Sequence, residues 1–238
     1  MKFLQVDSLD LLNSVFEWDC GGEARMTGRV EAYSCKSAGS DKKLFKHMEN
    51  KYNVVMSGSL SPPDDHLPIV SPFGRLDESA PRKTFFYLLS TLNAAFPDND
   101  FSDVRPDQFS KQPSVDMVIN SVNTTLFNLG NDFIVNKYRM WDILDELVGL
   151  TECDVYSYSA DVDDDPMVEE GYIWSMNYFF FNRKLKRMVF FSVNSSMKED
   201  QGDNDNDDDN DDDDDDMYAG SMDQDEPRHQ LVIGDMEV

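Results

Sequence analysis

Two dense aromatic runs constrain this chain more than any other feature. Residues 172–181 read Tyr-Ile-Trp-Ser-Met-Asn-Tyr-Phe-Phe-Phe, and residues 188–193 read Met-Val-Phe-Phe-Ser-Val. Between them lie six residues, Asn182-Arg183-Lys184-Leu185-Lys186-Arg187, four of which are cations. Aromatic and β-branched side chains favour a pleated, packed surface. Two such runs joined by a short polar connection predict a β-hairpin with a basic turn.

The other segments supply partners for that hairpin. Residues 152–159 alternate tyrosines with other side chains and read as a strand. Residues 23–36 read as another strand, with Gly28 as a candidate bulge. Residues 8–18 place Leu9, Leu12, Val15 and Phe16 at helical spacing, with Asp7 or Ser8 as cap and Gly21-Gly22 as stop. Residues 40–52 predict a second helix with Leu44, Phe45 and Met48 inward. Residues 82–96 are apolar on almost every side, which predicts a centrally buried helix ended by Pro97. Pro113 suits the first turn of a helix running through Val118, Ile119, Val122 and Leu126. Residues 137–150 give one more, with Trp141, Leu144 and Leu147 inward. Strands and helices without regular βαβ alternation predict an α/β fold: a central, mostly antiparallel sheet flanked by helices, in one globular domain over residues 1–197.

Composition changes at two places. Residues 53–81 hold five of the chain's ten prolines with two glycines and several serines, and read as a mobile linker inside the domain. Residues 198–238 carry 18 acidic and 2 basic side chains, a net of -16 out of a total of -26, and read as a disordered acidic tail. The remaining 29 acidic and 19 basic residues leave a net of -10 on residues 1–197. Nucleic-acid affinity comes from Lys and Arg displacing counterions, so this field predicts protein partners, basic ones above all, and no direct nucleic-acid binding. No stretch approaches the roughly 18 apolar residues of a membrane span, the first residues lack a signal-peptide run, and no membrane association is expected. Three cysteines, Cys20, Cys35 and Cys153, with no Cys-x-x-Cys pair, fit reduced thiols.

A search for chemistry finds no catalytic constellation. His47, His66 and His229 fall in a helix, the linker and the tail, and suggest no metal site. Asp161, Asp163, Asp164 and Asp165 resemble a cation loop, but counting from Asp161 puts Pro166 and Tyr172 where an EF-hand needs Gly and Glu. No glycine-rich phosphate loop occurs. No cofactor is expected, and the chain reads as a binding protein, not an enzyme. Two features stand out instead. Arg183, Lys184, Lys186 and Arg187 suit a nuclear-import patch or a docking point for an acidic surface. Ser61-Pro62 and Ser71-Pro72, in the linker, are candidate sites for a proline-directed kinase, each phosphate adding roughly -1.5 to -2 charges.

Several strings resemble one family in one order. Gly28-Arg29-Val30-Glu31-Ala32-Tyr33-Ser34-Cys35-Lys36, followed by Asp41-Lys42-Lys43-Leu44-Phe45-Lys46, resembles the first signature box of the Maf-one type repressors of RNA polymerase III. The string from Trp174 to Arg187 resembles the second box, and Val189-Phe190-Phe191-Ser192 the third. Arg82-Lys83-Thr84, Asp100-Phe101-Ser102 and Cys153-Asp154-Val155-Tyr156-Ser157-Tyr158-Ser159 also resemble family segments. The resemblance implies a repressor that binds RNA polymerase III core subunits and blocks recruitment by the initiation factor TFIIIB. It implies control by nutrient and stress kinases and their opposing phosphatases, and shuttling between nucleus and cytoplasm. The linker has no Arg-Arg-x-Ser string. The rival reading from composition is an acidic-tailed histone chaperone or carrier of basic proteins.

Overall fold

A computed structural model describes residues 1–36, 39, 41–57, 70–161, 165–168 and 171–198. In chain order the described elements are β1 (Lys2–Leu4), α1 (Asp7–Asn13), β2 (Glu17–Asp19), β3 (Ala24–Ser34), α2 (Asp41–Ser57), β4 (Val70–Ser71), β5 (Gly74–Arg75), α3 (Ser79–Ala95), β6 (Phe109–Lys111), α4 (Val115–Asn128), α5 (Phe133–Asn136), α6 (Met140–Val148), β7 (Asp154–Tyr158), β8 (Tyr172–Asn182) and β9 (Arg187–Met197).

The aromatic hairpin is β8 and β9, and it lies in the middle of a seven-stranded sheet ordered β1-β3-β9-β8-β7-β6. β2 pairs with β3 beyond β1, and every pairing is antiparallel. β3 and β9 run in unbroken register from Ala24↔Met197 to Ser34↔Arg187. Because side chains alternate along a strand, the two runs split between two separate cores. Phe179, Phe181, Met188 and Phe190 join Tyr33, Phe109 and Tyr156 on one face, packed by Met48 of α2 and by Phe85, Leu88, Leu89 and Leu92 of α3. Phe180, Val189, Phe191 and Val193 face the other way, onto Leu12, Val122, Ile134 and Leu144 of α1, α4, α5 and α6. Helices therefore cover both faces. That is why these strands read as near-continuous apolar runs instead of alternating ones. Each fully buried Phe contributes about 1.5–3 kcal/mol.

α3 shows the same logic in helical form. Phe85, Phe86, Leu88, Leu89 and Leu92 are all buried, and Pro81 sits in its first turn, where a missing N–H costs nothing.

The structure corrects several sequence expectations. The first helix stops at Asn13, and residues 17–19 form β2 instead of its last turn. Phe16 must enter the core beside Phe191, and Trp18 donates its Nε1–H to Leu129 O at 3.1 Å, which a continued helix would prevent. Gly28 is no bulge, since it pairs with Val193 in unbroken register. It is glycine because a Cβ there would lie 2.4 Å from the Phe16 ring. The linker expected over 53–81 has regular secondary structure at both ends. α2 continues to Ser57, β4 and β5 form a small hairpin, and α3 begins at Ser79. Phe73 anchors that hairpin, stacking on Phe85 at 5.4 Å and meeting Phe109 and Tyr156, and Leu76 is buried beside it. Residues 58–69 lie outside the described residues, as do 199–238, and with them the expected tail. Pro113 precedes its helix, which is capped instead by the Ser114 hydroxyl accepting from Met117 N–H. The helix expected over 137–150 is α6 alone, because Arg139 takes a left-handed φ of 52° and separates it from α5. The short strands β1, β2 and β6 had no sequence signal of their own.

Candidate partner-binding surface

The turn between β8 and β9 carries the four cations, and the side chains of residues 183–187 are all exposed. Their backbone is fixed from below by Asn182. This buried amide donates to Val148 O at 2.7 Å and accepts from Leu185 N–H at 2.9 Å. It thereby ties the turn to the end of α6. Arg187 does the same from the side, donating from Nη1 to Leu147 O at 3.0 Å. α6 has no basic residue in its own last turn, so the hairpin supplies the cation that its carbonyl end favours. Cys35 N–H donates to Lys186 O at 2.9 Å, which joins the turn to the end of β3.

Two of the charges meet carboxylates. Arg183 donates to Asp154 Oδ2 at 2.7 Å and to the Tyr156 hydroxyl at 3.3 Å, with its guanidinium over the Phe181 ring at 5.2 Å. Lys111 of β6 reaches the other Asp154 oxygen at 2.9 Å. Burial pushes the Asp154 carboxyl up, but hydrogen bonds and charge from Arg183 and Lys111 outweigh it and hold the group below the usual carboxylate range. Lys184 pairs with Glu152. The arrangement is an acid–cation lattice on three adjacent strands, with a preordered arginine at its centre. It can grip carboxylates or other acceptors on a partner.

A family model described as Maf1 regulator matches residues 26–192. The chain belongs to the Maf1 regulator family. It is 43% identical over 208 residues to the protein of Schizosaccharomyces pombe called repressor of RNA polymerase III transcription maf1, covering 86% of this chain and 87% of that one. It is 34% identical over 234 residues to the Dictyostelium discoideum repressor of RNA polymerase III transcription, covering 80% and 83%. A crystal structure of citrus MAF1 superimposes with a TM-score of 0.59 at 34% identity, over 80% of this chain and 98% of the other. The Maf1 family is one of regulators, not enzymes.

The Maf1 match begins in β3 and ends in β9, the two strands paired at the sheet's centre. The three family-like boxes fall on β3 and the start of α2, on β8 with its turn, and on β9, so the strands they form, far apart in sequence, lie side by side. Nothing local in the sequence marks Asp154, Glu152 and Lys111 as partners of the basic turn. The only signal for them was that β7 and β8 were expected to share a sheet. Ser71 is not an open linker serine. It is buried in β4, donating its hydroxyl to Gly74 O at 2.6 Å and accepting from Phe73 N–H at 3.3 Å. Ser61, His66 and His229 lie outside the described residues. Among the described residues, no group of three or more His, Cys, Asp or Glu could hold a metal ion. Burial pushes the Cys35 and Cys153 thiols up to about 12, which suits packing better than reactivity.

Proposed function

We propose that this chain represses RNA polymerase III transcription by binding the polymerase and blocking its recruitment by TFIIIB. The observation that carries the reading is the Maf1 match over residues 26–192 together with 43% identity to a fission-yeast protein named for that repression. The lattice around Arg183 supports an occluding role, since blocking needs affinity and shape but no reacting group. Nutrient and stress kinases and their phosphatases would set its activity and its distribution between nucleus and cytoplasm. Ser61 and Ser71 are the sites read from sequence, and Ser71 would have to leave β4 before a kinase could reach its hydroxyl.

The test is a reconstituted tRNA-gene transcription reaction with purified polymerase III and TFIIIB. Added before the polymerase, the chain should reduce transcript in proportion to dose. Added after polymerase has joined the TFIIIB–promoter complex, it should act much more weakly. Equal effects in both orders would remove the recruitment step from the reading, and no effect at stoichiometric excess would remove the repression.

A further inference from the structure

The outer face of α4 is unlike the rest of the chain. Charged residues make up 29% of the sequence, yet Asp116 is the one charge in the 14 residues of α4. Val118, Val122 and Leu126 turn inward to the core. The uncharged exposed positions are Met117, Asn120, Ser121, Thr124, Phe127 and Asn128. They recur three and four residues apart, so they share one face. Met117 is 58% exposed and Phe127 is 69% exposed, the most of any large apolar side chain among the described residues. Between them, Thr124 already donates its hydroxyl to Asn120 O at 2.8 Å. Uncharged side chains with part of their bonding met inside the helix lose less on leaving water than charged ones do.

A strongly charged partner would find almost no counter-charge on this face, whereas a second copy of the chain fits it. With a net charge of -26, two copies repel wherever their acidic side chains meet. On α4 only Asp116 stands in the way. The face is also self-complementary. Two copies of α4 set antiparallel about a two-fold axis near Val122 bring Met117 of one level with Phe127 of the other, twice over, and Asn120 level with Thr124. A methionine sulfur packs favourably against an aromatic ring. An Asn amide can donate to a Thr hydroxyl whose own proton is already committed. At 1.5 Å per residue the same register sets the two Asp116 carboxylates about 18 Å apart along the helix axis, beyond the Debye length of about 8 Å. A parallel pair would put them side by side.

We propose that this chain self-associates through an antiparallel, two-fold α4–α4 contact, with Met117 of one copy packed on Phe127 of the other. A single helix pair lies at the small end of specific interfaces, below about 1,200 Å², so the dimer is weak and concentration-dependent. Sedimentation equilibrium of the full chain at physiological salt, over about 5–500 μM, should show monomer passing into dimer and no larger species. Met117→Glu and Phe127→Lys each replace an exposed side chain, and each places its charge at the helix end whose dipole favours it, so both variants should fold. Each alone should weaken association by about tenfold or more. Combined in one chain they should restore it to within about threefold of the parent, because the new carboxylate of each copy then faces the new ammonium of the other. The restored association should weaken with added salt, and the parent's should not. A parent that stays monomeric across this range, a single variant that associates as the parent does, or a combined variant no tighter than the single ones overturns the proposal. With a monomeric parent, lost repression in Phe127→Lys would assign the face to a different protein. The sedimentation measurement uses the purified chain alone, so its failure leaves the repressor reading where it stands.

Discussion

Gly28→Ala should destabilise this chain, although adding a methyl to a strand glycine ordinarily helps by restricting the unfolded state. The new carbon would stand 2.4, 2.5 and 2.6 Å from three carbons of the Phe16 ring. Carbon atoms in contact prefer about 3.5–4.0 Å, so the ring must retreat by about 1 Å. It has little room to do so. Phe16 is fully buried, stacked on Trp18 with centroids 5.9 Å apart and wedged against Phe191. Its backbone is pinned as well, because Gly28 N–H donates to Phe16 O at 2.6 Å. Overpacking of this kind costs about 1–3 kcal/mol, or a fall in melting midpoint of about 2–12 °C at 2–4 °C per kcal/mol. Thermal and urea unfolding followed by tryptophan fluorescence would measure it, with Trp18 reporting locally. The cause is isolated by adding Phe16→Leu. If the clash is the mechanism, the two substitutions couple by about 0.5–3 kcal/mol, the smaller side chain relieving the methyl. A Gly28→Ala midpoint within about 1 °C of the parent, or strict additivity in the double variant, would refute the reasoning.

Other outcomes follow from the turn and its neighbours. Lys186 holds a left-handed φ of 52°, so Lys186→Gly should keep or raise the midpoint, by up to about 1 kcal/mol, in the same unfolding assay. Asp154→Asn should lower stability at neutral pH by weakening the ties to Arg183 and Lys111. The folded Asp154 titrates below its unfolded value of about 3.9, so its contribution is present above that value and lost as pH falls through the lower folded one. The midpoint gap between parent and variant should therefore close as pH falls below about 3.9, and a gap that stays constant would contradict the charge argument. With Cys35 and Cys153 thiols pushed up to about 12 by burial, their alkylation by iodoacetamide at pH 8 should run more than tenfold slower in the folded chain than in urea, as read by mass spectrometry.

The parts of the fold that rest on dense apolar side chains were legible in sequence. The hairpin, the buried α3 and the inward faces of α2 and α4 all announce themselves by what they must bury. Short elements did not. β6 is three residues long, and it is a strand because Phe109 packs between Phe85, Tyr158 and Phe179. None of those neighbours is near it in the chain. Phe73 defeated the linker reading in the same way. A segment rich in proline and serine reads as loop until one aromatic finds a slot across the core. The surface shows the same division. The cations of the turn were visible as a local run, whereas Asp154 and Glu152 lie 29 and 32 residues from the side chains they meet. Only the pairing of β7 with β8 brings them together.

That pairing changes what the basic turn can do. Three cations, Lys111, Arg183 and Lys184, pair with two carboxylates, Asp154 and Glu152, and the turn adds Lys186 and Arg187 beside them in sequence. The cations are not equivalent. Arg183 is held by Asp154, Tyr156 and the Phe181 face, and Arg187 closes the end of α6. Removing either one loosens the turn's own anchoring to β7 or α6. Lys184 and Glu152 form an exposed pair, and such pairs are worth about 0–1 kcal/mol, so an acidic partner can take Lys184 at little cost. Lys186 contributes its backbone carbonyl to the fold and offers its ammonium to solvent. Replacing all four cations would therefore confuse lost docking with a loosened turn. Lys184→Ala combined with Lys186→Gly removes the exchangeable charge, spares both arginines and avoids strain at the left-handed position. This double variant should unfold at or near the parent midpoint while losing transcriptional repression or nuclear accumulation. If both activities persist, the turn serves to cap α6 and brace the sheet, and the partner is held by another face.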